Sequence, residues 1–302
     1  MDSIITLVLI LAPMFVGFLL PVHQQLAHWS EKILNGLVFL ILTIIGMELA
    51  AVDNLGKTLM QVALYLPVLL ILNIGSGLIA LYLFDKFSPC PYRKLNAHTP
   101  KTSISLHGSF VQLGCLVLGF LLASMLPDGV HLPAMTTTVL LMILLLLVGI
   151  LLKNSNVSLK QALFNQRGLQ ISVVFMMAVL ASGLLFAALF DTVSWSKGLA
   201  LSSGFGWYSL SGTVMTESYG ALWGSVALLN DLLREILALL FIPYVMRLSS
   251  SAAIGLAGVT SLDFTLPTLQ KAGGSDIIPL VISFGFITNV VSPILMVLFS
   301  RW

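Results

Sequence analysis

SYGALWGSVALLNDLLREILALLFIPYVMRL, residues 218–248, is an apolar run long enough to cross a bilayer, and its middle holds Asn230, Asp231, Arg234 and Glu235. A charge at the centre of a spanning helix costs about 2.5–3.5 kcal/mol on insertion scales. Such a cluster persists only where its members pair, face water or do work. On a helix Asp231 and Glu235 are four residues apart and share a face, with Arg234 three residues from Asp231. Arg234 is therefore expected to pair with Asp231 and flank Glu235. One cation leaves a surplus carboxylate, the group a proton-coupled transporter needs. The plain alternative is a structural ion pair that locks two helices.

The rest of the chain agrees with a membrane setting. Of 302 residues 58% are hydrophobic and 9% charged, and mean hydropathy is +1.04; soluble domains carry about 25% charged residues. The expected fold is therefore an all-α polytopic membrane protein in the lipid bilayer. A net charge of +2 gives no basis for nucleic-acid binding. Cys90 and Cys115 form no metal or disulfide pattern, and the histidines at 23, 28, 98, 107 and 131 have no metal-ligand spacing. The first apolar run lacks a basic leader and a small-residue cleavage site, so it reads as a first span.

Eight spans are expected, at about 4–20, 34–52, 59–84, 107–126, 135–152, 169–190, 219–246 and 277–300. Loop 85–106 carries Lys86, Arg93, Lys94 and Lys101, and loop 153–168 carries Lys153, Lys160 and Arg167, which places both in the cytoplasm. Counting outward from them sets the N-terminus and the Asp191–Lys197 loop outside.

Two further stretches, 199–216 and 252–269, are broken by glycine, serine and proline. If both are re-entrant hairpins, Arg247 and Lys271 fall inside; if both cross, Arg247 falls outside. The basic residues favour hairpins, and either reading ends with the C-terminus outside. Irregular backbone at membrane depth survives only inside protein or along a water-filled cavity, where its N–H and C=O groups become ligands. In the first stretch the candidate ligands are Ser203, Gly204, Gly206, Tyr208, Ser209 and Ser211. In the second they are Thr260, Ser261 and the carboxylate of Asp263, followed by Pro267, which disfavours helix at Leu266. Glu48, near the end of the second span, Asp53 in the following turn, and Glu217 complete the candidate set. Glu217 reads equally as a gate, a site carboxylate or the first-turn acid of the seventh span.

A weak repeat divides the chain. Gly17-Phe-Leu-Leu20 recurs as Gly119-Phe-Leu-Leu122, and Gly46, Asp53 and Lys57 match Gly149, Asn156 and Lys160 at an offset of 103. Three spans separate the copies, so they insert in opposite directions, an inverted-repeat transporter architecture. The single transmembrane domain then reads as a first unit (1–106), an inverted second unit (107–196) and a broken-helix region (197–302).

The segments SGFGWYSLSG (203–212), TESYG (216–220), NDLLRE (230–235), TSLDFTLP (260–267) and GMELAAVDN (46–54) resemble the bacterial lysine exporter family LysO over nearly the full length. The resemblance implies an inner-membrane exporter of L-lysine and its toxic analogue thialysine, with eight spans and both termini outside. It also implies a distant kinship with cation/proton antiporters. Intramembrane acids matter in that family: Glu235 carries over by motif, and the acid near the end of the second span carries over to Asp53, with Glu48 beside it. The reading is proton antiport of lysine with no cofactor, the proton gradient supplying the energy. Glu235 and Asp231 would meet an ammonium or the exchanged proton, and Arg234 with the hairpin backbone the α-carboxylate. A sodium or other monovalent cation/proton antiporter on the same scaffold is the alternative, and a homo-oligomer is compatible with either. An enzyme is disfavoured, since neither a rhomboid-type Gly-x-Ser-Gly nor an aspartyl-protease Gly-x-Gly-Asp occurs.

Overall fold

The apolar runs form helices because a backbone in hydrocarbon must satisfy its own hydrogen bonds. A computed structural model describes residues 12–21, 24–50, 55–89, 107–125, 136–154 and 165–302 except 263, and no strand occurs among them. The helices are α1 (12–19), α2 (Gln24–Ala50), α3 (Leu55–Phe87), α4 (His107–Met125), α5 (Thr136–Asn154), α6 (Gln166–Leu189), α7 (Trp195–Ser202), α8 (Tyr208–Tyr219), α9 (Ala221–Leu248), α10 (Ser250–Ala257), α11 (Leu266–Gly273) and α12 (Ile278–Ser300). Four described helical segments, within α2, α3, α6 and α12, are long and apolar enough to cross a membrane on composition alone. Helix α9 has the length, 28 residues, but carries the polar cluster.

The helices sort into two packed groups. In the first, α1 lies on α5 and α2 on α4 through paired glycines. A Cβ on Gly17 would strike the Leu146 carbonyl, and one on Gly149 the Met14 carbonyl; Gly46 and Gly119 stand in the same relation to Leu116 and Thr43. Absent side chains let the backbones touch, the usual basis of helix contact in lipid. These are the repeat glycines, and each copy packs against the other. Leu37, Ile41, Leu42, Leu141, Leu144 and Leu145 fill the space between them.

The second group surrounds α9. Gly220, with φ +85°, separates α8 from α9, and Ser249 caps α10 by accepting from the Ala252 N–H at 2.9 Å. The broken stretches double back. The Lys197 ammonium, near the start of α7, lies 5.0 Å from the Tyr219 ring at the end of α8, so both arms end at one level. Likewise a Cβ on Gly273, at the end of α11, would meet Met246 and Ile277, which flank the second stretch on either side. Arms of 8, 12, 8 and 8 residues reach about 12–18 Å at 1.5 Å per residue, against about 30 Å of hydrocarbon. Each broken stretch has the shape of a helical hairpin folded back along α9. They start from opposite ends of α9 and meet halfway along it. Leu266 opens α11 instead of resisting it, because Pro267 falls in the first turn, where its missing N–H has no helical partner to lose.

Candidate functional site where two hairpin tips meet

The tips touch through backbone. The Val259 N–H donates to the Phe205 carbonyl at 2.9 Å. The first tip turns through Phe205 (φ +50°) and Gly206 (φ +99°), the second through Gly258 (φ +62°). A Cβ on Gly258 would drive into the Phe205 carbonyl, so only glycine permits this approach.

The charged cluster of α9 sits beside that junction. Asp231, Arg234 and Glu235 are 2%, 2% and 3% exposed. Asp231 accepts from the Ser211 hydroxyl and, at 3.0 Å, from the Asn230 amide. A Cβ on Gly204 would collide with the Asp231 carboxylate, so glycine there lets the acid reach the tip. The carboxylate therefore stands in the first turn of α8, where free N–H groups favour negative charge.

Arg234 stays a charge neighbour of Asp231 but gives its hydrogen bonds elsewhere. It does not hydrogen-bond Asp231; its Nη2 donates to the Gly255 carbonyl at 2.6 Å and its Nε to the Leu256 carbonyl at 3.3 Å. The guanidinium also lies 5.0 Å from the Phe175 ring. It caps the carbonyl end of α10, where a cation is favoured, and so is committed to the second hairpin. Two charges three residues apart thus serve the facing ends of two half-helices.

The remaining expected ligands divide. The Ser203 hydroxyl donates to the Leu199 carbonyl at 2.6 Å, while its own carbonyl accepts from Ser292 at 2.8 Å. The Thr260 hydroxyl donates to the Ala257 carbonyl at 2.8 Å. The Ser209 carbonyl accepts from Thr213 at 2.6 Å, and Tyr208 opens α8. Two buried atoms in the region have no hydrogen-bond partner, Asn230 Oδ1 and Ser261 Oγ. Asp53 and Asp263 lie outside the described residues, and so does the side chain of Glu48. The α2 backbone carries position 48 three residues beyond Ile45, whose side chain abuts Gly212 of the first hairpin. Glu217 falls in the last turn of α8 and not in the first turn of α9; it pairs with Arg301 beyond α12.

Several supports were not legible in the sequence. Asn73, mid-way along α3, accepts from Ser182 and Ser202, each at 2.8 Å, and so braces the first hairpin. Asn289 of α12 donates to the Val259 carbonyl at 3.0 Å at the second tip. Asp85 accepts from Arg167 at 2.5 Å, from the Ser249 hydroxyl at 2.5 Å and from the Ser251 N–H at 3.0 Å, which fixes the base of the second hairpin. A lone polar residue in an apolar run was the available signal for Asn73 and Asn289. Asp85 and Arg167 were visible only as loop charges.

Among the described residues no group of three or more His, Cys, Asp or Glu could hold a metal ion. The arrangement offers two buried acids, a cap-bound arginine and two helix breaks that meet beside the middle of α9. That is equipment for binding and releasing a small charged solute.

The comparisons point the same way. A sequence profile described as "Lysine exporter LysO" matches residues 113–300. "Lysine exporter LysO" of Escherichia coli (strain K12) is 38% identical over 299 residues, which is 97% of this chain and 98% of that protein. A provisionally named lysine exporter of Haemophilus influenzae is 43% identical over 190 residues, 63% of this chain and 97% of its own length. No solved structure matches the chain. The relatives are transporters and not enzymes, and on identity over nearly its whole length this chain belongs to the lysine exporter LysO family.

Proposed function

We propose that the protein exports L-lysine, and with it thialysine, across the bacterial inner membrane in exchange for protons. The observation that carries this reading is the meeting of two hairpin tips beside Asp231 and Arg234, with Glu235 buried one turn further along α9. Lysine has two ammonium groups and one carboxylate, for a net charge of +1. Exporting that charge against a negative-inside potential costs about 2.3 kcal/mol per 100 mV, and at least one inward proton offsets it. Glu235 is the group we assign to the exchange of proton and ammonium. Asp231 is held by Ser211 and Asn230 and serves as the fixed counter-charge. Arg234 is committed to the second hairpin, so the cargo's α-carboxylate is left to backbone N–H groups at the tips.

In this reading eight spans and two hairpins set both termini outside. The first hairpin opens from the outer face beside the Asp191–Lys197 loop, the second from the inner face beside Asp85 and Arg167. The reciprocal packing of the repeat glycines supports an inverted pair of units in the α1, α2, α4 and α5 scaffold. The two ion pairs found among the described residues, Glu217–Arg301 and Arg167–Asp85, tie one hairpin base at each face and suit latches for alternating access.

The test is lysine counterflow in vesicles carrying the purified protein, with and without a pH gradient. Acceleration by the gradient, for lysine above other amino acids, is expected. A sodium response in place of a lysine response would favour the cation/proton antiporter.

A further inference from the structure

Lys197 belongs to no part of the central cluster, yet it is held closely. Its ammonium lies 4.7 Å from the Trp223 ring centroid and 5.0 Å from that of Tyr219, and it donates to the Thr192 carbonyl at 3.4 Å. No ion pair joins it to a carboxylate among the described residues. The rings are fixed in turn. Trp223 stacks on Tyr65 at 4.9 Å, Tyr65 meets Phe190 edge-on at 4.9 Å, and the Tyr65 hydroxyl shares a 3.0 Å hydrogen bond with Thr192. Two aromatic faces and a carbonyl with no acid form the chemistry that recognises alkylammonium ligands. The group now seated there is a lysine side chain, chemically the same as the cargo's own.

A second observation ties this box to the transport cluster. Four buried side-chain atoms without a hydrogen-bond partner, Thr216 Oγ1, Ser218 Oγ, Ser225 Oγ and Asn230 Oδ1, lie along the end of α8 and the first half of α9. Ser225 and Asn230 fall between Trp223 and Asp231 along α9, and Thr216 and Ser218 precede Trp223 at the end of α8. Thr216 faces α9 directly, since a Cβ on Gly224 would meet its side chain. Buried polar atoms left unpaired are rare and call for an occupant; a passing ammonium or the water around it supplies one.

We infer that Tyr219 and Trp223, backed by Tyr65, form an ammonium-binding subsite at the outer end of the pathway, filled at rest by Lys197 as a tethered stand-in for the cargo. This rests on the lysine-export reading. A departing ε-ammonium displaces Lys197 from the rings, and the tether then returns it at high effective concentration. External lysine at low concentration is thereby kept from re-entering the box.

The experiment measures binding of pentane-1,5-diamine, which carries the ammonium groups without the carboxylate, to the full-length protein in lipid nanodiscs by calorimetry. Lys197→Met keeps the apolar stem and removes the charge. It is expected to tighten diamine binding roughly tenfold, the scale of one desolvated cation–π contact. Adding Trp223→Leu, or Tyr219→Leu if the first does not fold, is expected to abolish the gain, while Trp223→Phe keeps part of it. Equal affinity of parent and Lys197→Met overturns the proposal, as does a gain that survives loss of the rings. Lysine counterflow in the parent is read separately. Counterflow without the diamine gain removes the subsite alone; the gain without counterflow removes lysine export and leaves an amine site.

Discussion

Val259 donates its backbone N–H to the Phe205 carbonyl at 2.9 Å, and this bond joins two hairpins that approach from opposite ends of α9. The junction lies beside Asp231 and Arg234, each of which serves the end of a half-helix. A hairpin that shifts therefore carries with it a group bonded to Asp231 or Arg234. The site is built from backbone ends that are costly to leave bare in a bilayer.

Glu235→Gln removes the proposed exchangeable proton while keeping size and most hydrogen-bonding capacity. PH-driven lysine efflux is expected to fall to the level of empty vesicles, with the protein still inserted and monodisperse in detergent. Normal thialysine resistance in cells carrying this variant would remove Glu235 from the mechanism.

Arg234→Ala strips the cap from the Gly255 and Leu256 carbonyls. Charged hydrogen bonds are worth about 1.5–3 kcal/mol each, and a buried acceptor left bare is costly. A loss of about 2–4 kcal/mol in folding stability is expected, read as a lowered melting temperature in detergent, with partial recovery in Arg234→Lys. Unchanged melting would show that the guanidinium does not hold the second hairpin.

Gly258→Ala tests the junction itself. Gly258 has φ +62° and ψ −139°, a region open essentially to glycine alone, and the added methyl would strike the Phe205 carbonyl. Strain of about 1–3 kcal/mol is expected, with transport lost before folding is. Transport at the parent rate would mean that tip contact is not required.

Glu217→Gln opens the pair with Arg301 at the base of the first hairpin. Its side chains are 15% and 27% exposed, so the stability change is expected to be at most about 1 kcal/mol. The conformational readout is sharper. In a cysteine-free background, a cysteine at Ser209 is expected to react faster with an impermeant maleimide from outside. The charge swap Glu217→Arg with Arg301→Glu is expected to restore the parent rate. Equal labelling of all three would leave the pair without a gating role.

The polar cluster of α9 was legible because a charge in an apolar run stands out whatever its partners. The hairpins were legible through glycine and serine, whose conformational freedom and poor helix propensity mark a break. Whether they turn back or cross was read only from Arg247 and Lys271, since composition alone fits a crossing equally well. The partners of Arg234 were hidden, because backbone carbonyls leave no mark in a sequence. Spacing suggested Asp231, but a helix end supplies several aligned acceptors and outcompetes a side chain already held by Ser211. Glu217 was ambiguous because Arg301 lies 84 residues away and only tertiary packing joins them. Helix α2 begins at Gln24, ahead of the apolar run, because His28, Glu31 and Lys32 extend the helix on exposed turns that hydropathy does not count as a span.

Proton-coupled exit of lysine through the buried acids of α9 is the proposal on which the rest depends. Its most direct test is internal pH in lysine-loaded proteoliposomes, recorded while an inward proton gradient is imposed. The gradient is expected to drive lysine efflux, each efflux event is expected to carry protons inward, and Glu235→Gln is expected to abolish both together. Lysine efflux of equal rate with and without the gradient, and with no change of internal pH, would contradict it.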